Sequence, residues 1–157
     1  MDAQSEKVLG QLIRDARIAA LATLRDEAPQ VSMVAYLAAD DFSAFYIFVS
    51  RLAQHTVDMQ KDKRVSLLIC ETDDGRIDPQ TLARVSIRGA AELIETGEPG
   101  YTPLKAQYLA RFPEADKLFN LSDFNFWRII PKGGRYVAGF AKAYNITPET
   151  LNKVSAR

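Results

Sequence analysis

The sequence predicts a mainly β, α+β fold: an antiparallel barrel of about six or seven strands with helices packed outside it. Three observations carry this. Short apolar runs of strand length recur along most of the chain, each closed by a turn. Neighbouring runs are joined by a few residues, whereas a doubly wound parallel sheet needs a helix after nearly every strand. Finally, Thr81 to Glu95 alternates cleanly, with Ala83, Val85, Ile87, Gly89, Ala91 and Leu93 set against Arg84, Ser86, Arg88 and Glu92.

Taken in order, Ser5 to Ala16 carries Val8, Leu9, Leu12 and Ile13 at helical spacing, with Ser5 as its expected N-cap. Ile18 to Leu24 is a short apolar strand, and Arg25 to Pro29 reads as a turn. Val31 to Ala38 and Ser43 to Val49 follow as strands; Phe45-Tyr46-Ile47-Phe48-Val49 is apolar on both faces and so belongs inside. At Ser50 the period becomes helical, with Leu52, Thr56 and Met59 on one face and Gln54, Asp58 and Lys61 away from it. Arg64 to Cys70 reads as a buried strand holding an inert Cys70. Thr102 to Phe112 is helical, with Pro103 in its first turn. Phe126 to Ile130 and Arg135 to Phe140 close the chain as two strands around Pro131-Lys132-Gly133-Gly134.

Composition bounds the function. The 157 residues fit one domain, 1–157, and the 47% hydrophobic and 25% charged content is that of a globular protein. Twenty basic and twenty acidic residues cancel, so no global field favours nucleic acid or an anionic membrane. No apolar run approaches the roughly 18 residues of a membrane span, and no signal peptide pattern opens the chain. With one cysteine, a reducing, cytoplasmic setting is expected. A lone Cys70 and a lone His55 cannot build a structural zinc cluster, so no metal site is expected.

The most informative junction is Phe48-Val49-Ser50-Arg51-Leu52-Ala53. A strand ends, a hydroxyl follows, and an arginine opens a helix. An anion at a helix start is stabilised by free N–H groups, and a guanidinium pairs phosphate oxygens in bidentate fashion. Spacing alone also fits a plain Ser50 cap beside a solvated Arg51.

The chain resembles the pyridoxamine 5'-phosphate oxidase-like superfamily of FMN-binding split barrels. The residues that carry this are Ser50-Arg51-Leu52-Ala53, Lys63-Arg64-Val65-Ser66-Leu67-Leu68, and Val85 to Leu93 with Gly89 and Glu92. Within it, a closer match is to the haem-utilisation (HugZ-type) branch, through Ser50 to Thr56, Tyr108 to Ala115, Asp123 to Arg128 and Gly139 to Tyr144. The resemblance implies a homodimer with cofactor sites shared between subunits and FMN as the cofactor, acting with a small-molecule substrate or electron donor. It implies flavin contacts from the Ser32, Met33 and Val34 backbone, from Val49, Ser50, Arg51 and Thr56, and from Arg84 and Phe140. Departures accompany it: Ser32 and Leu37 stand where the oxidase has a phosphate-binding arginine and a substrate lysine, and Leu52 replaces a lysine. Pyridoxamine phosphate is therefore not the expected substrate. No side chain stands out as catalytic. Haem binding or breakdown is the alternative function, and a non-enzymatic ligand-binding barrel a further one. His55 reads either as an iron ligand, as an acid–base group, or as support for the helix start.

Overall fold

A computed structural model describes all 157 residues. Helix α1 (Ala3–Asp15) is capped by Asp2, not Ser5; the Asp2 carboxylate accepts from the Ser5 N–H at 2.8 Å and its hydroxyl at 3.1 Å. Strands β1 (Ile18–Arg25) and β2 (Ala28–Ala35) form a hairpin. Its turn is only Asp26-Glu27, both at positive φ (52° and 64°), as a tight hairpin turn requires. Pro29 therefore lies in β2, opposite Leu24.

The chain bends at Tyr36 into the two-residue β3 (Leu37–Ala38), which pairs with β4 (Phe45–Ser50). Helix α2 (Gln54–Lys61), strand β5 (Arg64–Cys70) and strand β6 (Arg84–Ile94) follow. Helix α3 (Tyr101–Arg111) and a 3-10 run (Pro113–Asn120) lead into β7 (Phe124–Val137), β8 (Ala143–Ile146) and α4 (Pro148–Ser155).

All pairings are antiparallel, in the order β2-β1-β5-β6-β7-β4-β3, with β8 on β7. The two ends of that order, β2 and β3, are consecutive in the chain, so one bent stretch supplies both edges and curls the sheet onto itself. Strand β2 still pairs only with β1 and β3 only with β4, so the bend joins the two edges through the chain and not through a ladder. The bend is pinned: Tyr36 is 1% exposed, its N–H donates to the Arg17 carbonyl at 3.1 Å, and its hydroxyl donates to the Ile13 carbonyl at 2.7 Å.

Strand β4 is buried on both faces, as its sequence implies. Phe45, Ile47 and Val49 join the barrel core with Leu9, Ile13, Met59, Leu151 and Val154, while Phe48 joins Leu104, Tyr108 and Phe126 in a second cluster beneath α3. Strand β5 is different: Leu68 and Cys70 are exposed, so only one face is core and Cys70 is not packed in it. The expected turn at Pro131 to Gly134 is instead a bulge within one 14-residue strand. Gly89 pairs with Pro131 and Arg88 with Gly133, leaving Lys132 as the extra residue. A Pro-Gly run marks a bulge as readily as a turn. No helix is long and apolar enough to cross a membrane.

Gly134 is required by close approach, since a Cβ there would collide with the Ser86 carbonyl across β6. Gly134→Ala should lower stability by about 2–3 kcal/mol, read from the urea midpoint, because backbone cannot yield as a flexible side chain can.

Candidate functional site

The candidate site lies where β4 ends. Ser50 pairs with Phe124 at the start of β7, and residues 51–53 turn before α2 begins at Gln54 with Ala53 as its N-cap. Ser50 and Arg51 thus precede the helix and lie outside its first turn, contrary to the sequence reading. A turn forms because the Ala53 N–H donates to the Ser50 carbonyl at 3.1 Å, and the buried Thr56 hydroxyl donates to the same oxygen at 2.7 Å.

The polar groups of this turn satisfy one another. The Ser50 hydroxyl donates to the Asp123 carboxylate at 2.5 Å and accepts from the Leu52 N–H at 3.1 Å. The Arg51 N–H donates to the Asp123 carbonyl at 2.7 Å. Arg51 and Leu52 project into solvent, and Leu52 is 81% exposed. An FMN phosphate would need the Ser50 and Thr56 hydroxyls as donors, and both are committed internally beside a carboxylate. These residues do not fit a phosphate.

His55, in the first turn of α2, links this turn to β2. Its Nδ1 lies 3.3 Å from the Ser32 hydroxyl, while its Nε2 is buried without a partner. Burial pushes the imidazole below its ordinary pKa, opposed by the nearby Asp58 carboxylate. Asp58 was expected on the solvent side of α2, yet it is 2% exposed. It accepts from Thr23 at 3.0 Å, from Arg25 at 3.0 and 3.2 Å, and from Gln54 at 3.2 Å. The hydrogen bonds from Arg25 hold its carboxyl down at about 2, against desolvation, which acts the other way. The pairing partners, which a helical wheel does not show, are what bring this charge inside.

The predicted site residues divide by place. Ser32 and His55 join the Val49-Ser50-Arg51-Thr56 turn to β2, where Val34 points into the core and Met33 outward at 66% exposure. Arg84 stands opposite Val137, and the 84% exposed Phe140 follows β7, whereas Ser50 pairs at that strand's other end. Within one chain these two are not brought to Ser50. The Arg84 guanidinium is held by the Gln80 and Leu82 carbonyls at 2.9 and 3.0 Å.

The site also holds residues the sequence reading gave no role. Asp123 sits in a quoted motif, but its pairing with Ser50 exists only through the β4–β7 register. Arg88 lies on an outer sheet face that runs in register through Val31, Ala22, Ser66 and Arg88, and beside it Met33, Ala20, Leu68 and Ser86. Ile18 (56%), Val31 (72%) and Met33 (66%) make this face apolar and exposed, and the Arg88 guanidinium has no hydrogen-bond or ion-pair partner on it.

Two titrations follow. His55 is the chain's single histidine, so its imidazole resonances need no assignment by mutation; they should titrate with a midpoint below 6.5. The native state then binds fewer protons than the unfolded chain below that value, and stability falls as pH drops through this window. Asp58 contributes stability that is present above pH 3.8 and is lost as pH falls toward about 2. Asp58→Asn should lower the urea midpoint at neutral pH and flatten the acid limb of the stability profile.

The comparisons agree with this architecture. The chain is 36% identical over 116 residues to the chloroplastic non-canonical heme oxygenase HOZ of Arabidopsis thaliana, covering 74% of this chain and 34% of that protein. It is 25% identical to the heme oxygenase HutZ of Vibrio cholerae, covering 78% of this chain and 69% of that one. The structure of a heme binding protein from Mycobacterium smegmatis superposes with a TM-score of 0.84 at 25% identity, over 98% of this chain and 62% of the other. The chain thus spans about a third of the Arabidopsis protein. The resemblance to the haem-utilisation branch holds. Residues 5–138 match the pyridoxamine 5'-phosphate oxidase family, and the chain belongs to it.

Proposed function

We propose that this protein binds haem, as a homodimer whose copies meet over the outer sheet face and hold the cofactor at their seam. The observation that carries this is the face itself. Ile18, Val31, Met33 and Leu68 expose an apolar surface from β1, β2 and β5, and Arg88 beside it lacks a counter-charge. A haem is a flat apolar ring bearing carboxylates, so the plate suits its ring and Arg88 suits a carboxylate. Exposed apolar area of this kind marks a surface that is covered in use. Two relatives named as heme oxygenases and a structural neighbour named as heme binding support the same choice.

The enclosed His55 is not needed as an iron ligand in this reading; it holds α2 against β2 through Ser32. When bound, haem would supply the iron chemistry, and the chain's share is to seat the ring, pair its charge and exclude water. The second reading, an FMN-dependent oxidoreductase, has family membership in its favour and the Ser50–Asp123 geometry against it.

Titration of the purified chain with hemin should give a shifted Soret band that saturates at about one haem per chain in a dimer of identical sites. Met33→Glu should abolish both haem uptake and the dimer seen in gel filtration. Arg88→Ala should weaken haem binding by about tenfold or more, the loss of a charged hydrogen bond. Uptake of FMN with no hemin binding would overturn the proposal.

A further inference from the structure

We infer that Asp123 is a specificity residue that closes the flavin-phosphate end of this fold's site, so that the protein does not favour phosphorylated flavins. The inference rests on the local geometry and on family membership, and it stands or falls independently of the haem reading.

The turn that should cradle a phosphate offers it almost nothing. The Ser50 hydroxyl and the Arg51 N–H both donate to Asp123, one to the carboxylate and one to the carbonyl. The Leu52 N–H donates to the Ser50 Oγ, and the Ala53 N–H and Thr56 hydroxyl to the Ser50 carbonyl. The Thr56 and Val57 N–H groups both donate to the Ala53 carbonyl. What remains is the Arg51 guanidinium, in solvent and without a partner, and the Gln54 and His55 N–H groups of the first turn of α2, beyond the Ser50–Asp123 pair. An anion approaching Ser50 would meet a carboxylate already seated 2.5 Å from the hydroxyl it needs. Like charges that close disfavour each other.

Asp123 cannot easily swing away. Its own carbonyl takes the Arg51 N–H, and the next residue, Phe124, is paired with Ser50 in the β4–β7 ladder. Phe124 in turn packs against Phe48, with ring centroids 5.5 Å apart. Backbone pairing and aromatic packing therefore hold the Asp123 backbone against the Ser50 turn, and the Ser50 hydroxyl holds its carboxylate there. The ligand end that suits this position is neutral or carries a hydrogen-bond donor.

Flavin fluorescence quenching with FMN and with riboflavin, which lacks the phosphate, tests this on the full chain. Wild-type affinities should agree within about threefold, because the phosphate gains no charged hydrogen bond. Asp123→Ala frees the Ser50 hydroxyl and removes the charge; it should tighten FMN by about tenfold or more and leave riboflavin unchanged. Asp123→Asn, which keeps the side-chain volume, should shift the ratio in the same direction and serves if the alanine variant does not fold. A wild-type preference for FMN of about tenfold or more would sink the inference. So would a ratio unmoved by either variant, or no binding of either flavin by any of the three proteins. A protein that fails to take up hemin yet shows the predicted flavin ratios would refute only the haem reading.

Discussion

The structure depends on the seam at Tyr36. A sheet whose two edge strands are consecutive in sequence can close only if the chain turns sharply between them, and the turn must be held from inside. Tyr36 does this with two bonds to α1 and the segment after it: its N–H to the Arg17 carbonyl and its hydroxyl to the Ile13 carbonyl. The Ile13 carbonyl is in the last turn of α1, where carbonyls lack intrahelical partners, so the phenol satisfies a group the helix leaves open. Arg111 of α3 does the same for the Arg14 and Ala16 carbonyls. The end of α1 is thus a node to which the barrel seam and the outer helix are both tied.

Closure at that seam also sets up the site. It brings β2 beside β4, while the β1–β2 hairpin lays β2 against α2, where Ser32 meets His55. Asp58, one turn on from His55 along the same side of α2, fastens the helix to β1 through Thr23 and Arg25. Burying one carboxylate is costly unless it is paired and hydrogen-bonded, and here it accepts four bonds. These anchors hold the far end of the turn from Ser50 to Ala53, and the pairing of Ser50 with Phe124 holds its start.

Much of the fold was legible in sequence because strand alternation and strand spacing are local properties. The alternation read over Thr81 to Glu95 contains strand β6, Arg84–Ile94, with Thr81 itself in a 3-10 turn, and Phe45 to Val49 lies within β4. What escaped was set by partners distant in sequence. The Tyr36 bend depends on α1, the burial of Asp58 on Arg25, and the Pro131–Gly134 bulge on the register of β6. Strand β8 is only four residues long, and Pro148, which looks like a breaker, opens α4 behind a Thr147 cap that accepts from the Thr150 N–H at 3.2 Å. For the site, the residue types at Ser50-Arg51 were visible, but the carboxylate opposite them was not, because Asp123 lies 73 residues away.

The distribution of partners among the arginines shows where this chain has kept charge in reserve. With equal numbers of acidic and basic residues, every guanidinium could in principle be neutralised locally. Most are engaged: Arg25 by Asp58, Arg64 by Asp62 and Glu27, Arg76 by Glu71 and Asp74, Arg128 by Glu92 and Glu98, and Arg157 by Glu6. Arg14, Arg84, Arg111 and Arg135 find carbonyl oxygens, and Arg17 lies over the Phe112 ring. Arg51 and Arg88 alone have neither. Arg51 lies in solvent at the turn whose Ser50 hydroxyl is already bonded to the Asp123 carboxylate, whereas Arg88 stands on the exposed sheet face beside Ser66 and Ser86. Both guanidinia are free, but only Arg88 stands beside an exposed apolar surface, formed by Val31, Met33 and Leu68, so only there can one ligand bury a ring and pair a carboxylate together.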